Sequence, residues 1–159
     1  MLKSGFVLAL WLALGVVAYA RDGLSFTPPS GWQRIEGPSY AQTGIIGVWA
    51  LPGDGNYAQN IVLRLMSESA SLEYETDPDR IRRQYPDAQV EEQPMALCGG
   101  RLPAMYIYML TSVGGRALTK ESIVTISGGT MYSATYSRLN SQRTSETARS
   151  ALATICPIH

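Results

Sequence analysis

The chain has 159 residues, of which 45% are hydrophobic, 16% charged and 9% aromatic. That is too apolar for a disordered chain and too mixed for a coiled coil or collagen. Thirteen basic residues balance thirteen acidic ones, so no net charge draws the protein to nucleic acid or to an acidic membrane surface.

The first twenty residues read as an address. Lys3 supplies a positive charge, residues 6–17 form a nearly unbroken apolar run, and Ala18-Tyr19-Ala20 offers the small residues a signal peptidase reads. The run is shorter than the roughly twenty residues a spanning helix needs, so no stable membrane anchor is expected. Cleavage is expected between Ala20 and Arg21, leaving one domain over 21–159. The residue immediately after that point is Arg21 and not a cysteine, which argues against a lipid anchor, and no twin arginine precedes the run, which argues for export of the unfolded chain.

Beyond the leader, residues 24–27 read as a short edge strand. Pro28-Pro29-Ser30-Gly31 then places the region at an edge or outside the main sheet, because proline has no N–H for a ladder. Strands are expected over 44–51 and 58–67, joined by the turn-rich Pro52-Gly53-Asp54-Gly55-Asn56, with Ile61, Leu63 and Leu65 on one face. A helical region is expected over 71–87, with an earlier helical turn over 71–76 and its start signal at Asp77-Pro78. Asp77 can accept hydrogen bonds from free backbone N–H groups, Pro78 fits a first helical position, and Pro86 stops the run.

Residues 89–97 lead into a meander over 102–113, 116–127 and 130–138. Gly114-Gly115 and Gly128-Gly129 mark its two tight hairpins, since glycine adopts positive φ without penalty. Met105 to Leu110 is apolar throughout, which predicts a strand covered on both faces. A last helix, capped by Asn140 or Ser141 and ended by Pro157, carries an apolar stripe at Ala148, Ala151, Leu152 and Ile155. The expected fold is α+β: an antiparallel sheet with a C-terminal meander, flanked by two helices as an α/β/α sandwich.

Cys98 and Cys156 are the only cysteines. In an exported chain such a pair is expected to form a disulfide. The chain-entropy model assigns about 4 kcal/mol to closing a loop of that length. Here the bridge would staple the end of the last helix to the sheet.

Histidine-dependent chemistry has little to work with, because the single histidine is the terminal His159. There is no G-x-S-x-G, P-loop or dinucleotide fingerprint, and two cysteines alone make no zinc site. No catalytic residue, metal site or cofactor is therefore assigned. A carboxylate-type hydrolase, using some of Asp77, Asp79, Glu91 and Glu121, is the enzymatic alternative. It requires two of these acids to face one cleft. Asp77 and Asp79 are better explained by a helix start, where negative charge is favourable. Gly53-Asp54-Gly55-Asn56 lacks the remaining ligands of a calcium loop and reads as a turn. Arg80, Arg82 and Arg83, mixed with acids, read as a solvated helix face. Tyrosine is enriched at binding surfaces. Trp49, Tyr106, Tyr108, Tyr136 and Arg138 are the candidates for the wall of a ligand groove, against the plainer reading of tyrosines completing a core.

Three stretches carry a resemblance. Pro29-Ser30-Gly31-Trp32 follows the first strand. Gly99-Gly100 with Pro103-Ala104 enters a long strand. Tyr132-Ser133-Ala134-Thr135-Tyr136 precedes the Ala/Leu-striped last helix. In these the chain resembles the PsbP-like superfamily, which includes a Ran-binding nuclear import factor and many small exported bacterial proteins of unknown role. The resemblance implies an antiparallel sheet between helices and a non-enzymatic accessory role, and it carries over no catalytic residue. The expected protein is an exported, non-catalytic binding or accessory module of the bacterial cell envelope, with an unknown protein or small molecule as partner. A secreted effector or inhibitor is a further alternative.

Overall fold

A computed structural model describes residues 18–21, 23–37, 43–53, 57–67 and 69–158. Most of the expected leader and the centre of the Pro52–Asn56 turn lie outside them. The strands are β1 (Tyr19–Arg21), β2 (Leu24–Phe26), β3 (Gln33–Arg34), β4 (Ile45–Ala50), β5 (Asn60–Met66), β6 (Gln89–Leu97), β7 (Leu102–Val113), β8 (Arg116–Ser127), β9 (Thr130–Leu139) and β10 (Cys156–Pro157). The helices are α1 (Leu72–Thr76), α2 (Pro78–Gln84) and α3 (Glu146–Leu152). None is long and apolar enough to cross a membrane. The fold class is α+β, as the sequence predicts.

Seven strands form one antiparallel sheet in the order β3-β4-β5-β9-β8-β7-β6. Both Gly-Gly pairs are the expected turns. Gly114 and Gly115 have φ of 57° and 76°, and Gly128 and Gly129 have 58° and 75°, the paired positive values that match the twist of a two-residue hairpin. β7 is covered on both sides, with no exposed residue from Ala104 to Thr111. Alternation puts Tyr106 and its cross-strand partner Ile123 on one face, and Met109 with its partner Lys120 on the other. The first face carries α3. The second carries α1 and α2, for Lys120 sits 4.8 Å from the centre of the Tyr85 ring, and Thr111 donates to Asp87 at 3.1 Å.

The core lies under α3. Trp49, Ile61, Leu63, Ala134 and Tyr136 of the sheet meet Leu152 and Ile155 there. Phe26 packs on Trp49 with ring centres 5.0 Å apart. Gly47 is needed beside that ring, since a Cβ at this position would lie 2.5 Å from it.

Several expectations are corrected. Residues 24–27 are not an edge strand: β2 is the middle of a separate three-stranded sheet, β1-β2-β10. The helical region over 71–87 divides at Asp77 as the sequence signals, the earlier turn being α1 and the helix after Asp77-Pro78 being α2. Asp77 is extended, with ψ of 118°, because the following proline disfavours the helical conformation of the residue before it. Asp77 still caps α2 through its side chain, as predicted. The described residues thus hold three helices, the two expected and the earlier turn. α3 is capped by Ser145, not by Asn140 or Ser141. The Asn140 side chain instead accepts from Thr119 at 2.7 Å. The helix ends at Leu152, so Ile155 is buried beyond it and Cys156 lies in β10.

Candidate functional site

Cys98 and Cys156 form the disulfide, with Cα atoms 5.5 Å apart. Cys98 opens the β6–β7 turn at φ 53°, followed by Gly99 and Gly100 at 71° and 84°. The bridge ties this turn to the chain end that follows α3. β10 is held there as well, where the Ser25 hydroxyl donates to the Cys156 carbonyl at 3.1 Å.

Between the edge strand β6 and α3 lies an open groove of about 490 Å³, lined by Gln93, Met95, Tyr106, Glu121, Ile123, Arg149 and Ala153. It exists because α3 is short and crosses the β8–β9 half of the sheet, leaving part of the β6–β7 half uncovered. Met95, Ile123 and Ala153 make its apolar floor.

Its wall is a fixed polar cluster. Glu121, fully buried, accepts from Arg149 Nε at 2.7 Å and Nη2 at 2.9 Å, and from the Tyr106 hydroxyl at 2.7 Å. Such a forked pairing supplies the geometry a buried carboxylate requires. It also raises the Arg149 pKa. Tyr106 is pushed well above the ordinary tyrosine value, first by burial and second by its hydrogen bond to Glu121. The phenol is thereby held neutral as a donor.

Of the five residues expected to wall a groove, all on this sheet face, the structure brings only Tyr106 to it. Tyr108 is half-buried in the next row, beside Glu121. Trp49 and Tyr136 are core residues, 4% and 1% exposed, because α3 and β2 cover their end of the face. The Tyr136 hydroxyl is held by Gln59 and accepts from the Ser145 N–H. Burial raises its pKa. Arg138 is half-buried one row further from the groove.

The hydrolase alternative needs converging carboxylates, and the structure separates them. Asp77 and Asp79 stand at the start of α2, across the sheet from Glu121. Glu91 is exposed on β6, and both oxygens of Glu121 are engaged. Arg80 pairs with Glu75, and Arg82 with Asp79 at 2.8 Å. Among the described residues, no group of three or more His, Cys, Asp and Glu side chains is placed to hold a metal ion.

Sequence reasoning missed Gln93, Met95, Ile123, Arg149 and Ala153. One signal was present: Glu121 alternates with Thr119 and Ile123 on an inward strand face, and a buried acid demands a cation. Nothing in the sequence pointed to Arg149 as that cation.

No family model and no curated protein matches the sequence. Among solved structures, the chain is similar to PsbP (CyanoP) from Synechocystis sp. PCC 6803. The identity is 14% and the TM-score 0.59, over 91% of this chain and 95% of that one. It is similar to LpqN of Mycobacterium tuberculosis, described as involved in cell envelope biogenesis, at 18% identity and TM-score 0.59, over 84% of this chain and 83% of that one. A protein from Bacteroides thetaiotaomicron matches at 14% identity and TM-score 0.54, covering 86% of this chain; the match spans 46% of that longer chain. At these identities the likeness is one of fold, and the chain has the PsbP-like fold that its sequence predicts.

Proposed function

We propose that the protein is an exported accessory module of the bacterial cell envelope that works by binding, with the groove beside α3 as its contact surface. The disulfide carries this reading. Such bridges persist in oxidising compartments, and this one joins the turn that follows β6 to the chain end that follows α3, β6 and α3 being the elements that border the groove. Two further points support it: the leader-like first twenty residues, and the fold shared with LpqN, whose description concerns the cell envelope. Cleavage between Ala20 and Arg21 falls within β1, so the mature chain keeps the β2–β10 pairing and loses most of β1.

Three measurements test the proposal. N-terminal sequencing of the mature protein should begin at Arg21. Alkylation without reduction should find no free thiol. Photo-crosslinking from position 93 in envelope extract should label a partner, and Met95→Glu, which puts a charge on the groove floor, should abolish that label. Cytoplasmic retention with both thiols free would overturn the proposal. A crosslink indifferent to Met95→Glu would remove the groove from it.

A further inference from the structure

β6 is one rim of the groove and the outer strand of the seven-stranded sheet. It pairs with β7 over nine consecutive positions without a register shift, and no described strand pairs with its other side. The direction of its main-chain groups follows from β7. The Ser112 N–H donates to the Asp87 carboxylate at 2.9 Å, on the side where β6 lies. Alternation then turns the main chains of Leu110, Tyr108, Tyr106 and Ala104 towards β6. Their partners Gln89, Glu91, Gln93 and Met95 therefore spend their N–H and C=O groups on β7. Those of Val90, Glu92 and Ala96 point outward. Pro94 points outward too, where its missing N–H costs the ladder nothing.

Edge strands are ordinarily blunted by lysine, proline or a bulge. β6 has neither lysine nor bulge, and its proline acts only locally: Pro94 stops a neighbouring strand from continuing and leaves 89–93 to be paired. This stretch bears Glu91 and Glu92, both exposed. Neither forms an ion pair with a described residue, and the sequence has no Lys, Arg or His from 84 to 100. Glu91 faces the α3 side beside Tyr108, and Glu92 the α2 side. Next to Glu91 on the α3 side is Gln93, at the lip of the groove. On the opposite wall Glu121 and Glu146 outnumber Arg149, which pairs with both. The edge thus offers main-chain bonds, a negative rim and an apolar floor side by side.

We propose that the 89–93 edge of β6 pairs with a basic, extended segment of a partner protein, taken up as an added antiparallel strand. An apolar residue of that segment stands opposite Gln93 and reaches over the groove floor. The next two, Lys or Arg, stand opposite Glu92 and Glu91. Main-chain bonds supply affinity in such an addition, and the alternate side chains supply specificity. The inference rests on the groove being the contact surface and adds the chemistry of what binds there.

The probe is the peptide acetyl-Val-Leu-Lys-Lys-Val-Thr-amide, titrated into the ¹⁵N-labelled protein. Saturable NMR shifts are expected from Val90 to Gln93, with amide exchange slowed at Val90 and Glu92. Replacing both lysines by glutamate is expected to remove binding. So is N-methylation of the first lysine, which deletes a ladder bond at unchanged charge. Glu91→Gln/Glu92→Gln, at exposed positions, is expected to weaken binding ~5-fold. No binding, binding without slowed exchange at Val90 and Glu92, equal binding of the acidic peptide, or unchanged affinity in the double variant overturns the proposal. The partner crosslink from position 93 separates this inference from the reading it rests on. A crosslink abolished by Met95→Glu but indifferent to Glu91→Gln/Glu92→Gln keeps the groove as contact surface and removes the basic strand.

Discussion

The meander and the small terminal sheet are both antiparallel, yet different forces hold them. β7, β8 and β9 pair over ten consecutive positions at each ladder and turn through two residues. Their contacts are near in sequence, so little loop entropy opposes them. β1, β2 and β10 have three, three and two residues, and the contact between Ser25 and Cys156 spans 131 positions. So few ladder bonds do not hold a sheet together on their own. What fixes the terminal sheet is Leu24 and Phe26, 0% and 1% exposed in the core, together with the disulfide. One region is built by local sequence and the other by burial and a covalent tie.

Breaking the tie is the strongest test of that contrast. The Cys98→Ser/Cys156→Ser double variant should lose about 4 kcal/mol in urea denaturation. Amide exchange should accelerate first at Ser25 and Ile158, in the β2–β10 pairing, while β8 stays protected. Equal loss of protection in β8 would show the two regions to be one cooperative unit. Next in size is Arg149→Met, which strands the Glu121 carboxylate in the core and should cost about 3 kcal/mol. Adding Glu121→Leu should restore much of it, because a buried pair replaced by apolar groups is often neutral.

A smaller effect is expected at alkaline pH. Burial and the bond to Glu121 raise the Tyr106 pKa in the folded protein above its ordinary 10.0. The stability this provides is complete below about 10 and is lost as pH rises towards the folded value. Urea midpoints should therefore fall above that pH in the wild type and fall less in Tyr106→Phe, with phenolate absorbance as the check. The smallest effect tests the meander alone. Gly115→Ala, at φ 76°, should cost about 1–2 kcal/mol for a side chain in the left-handed region. Exchange in the terminal sheet should stay unchanged.

Residue order alone specified the parts of the protein that depend on near neighbours. The bounds of β6, β7 and β8 follow from glycine pairs and β-rich runs, and the α2 start follows from Asp77-Pro78. The pairing of Cys98 with Cys156 needed only that two cysteines exist. Where distant segments compete, sequence pattern misled. The Ile155 stripe looked helical, but the bridge and the pairing with Ser25 draw the following residues into β10. Asn140 looked like a cap, but Thr119 across the ladder claims its side chain.

The candidate site belongs wholly to this second kind. Trp49 and Tyr136 carry the same chemistry as Tyr106 and lie on the same sheet face, and sequence could not rank them. A seven-residue α3 buries two of them and leaves the third beside a groove. Likewise Glu121 meets Arg149 from a helix 28 positions away, while Arg138, an identical side chain two rows from Tyr106, donates instead to the carbonyls of Leu139 and Gln142. Short-range backbone preference sets where strands begin and end. Which polar groups find partners is decided only when the layers close, because desolvation acts on the assembled molecule.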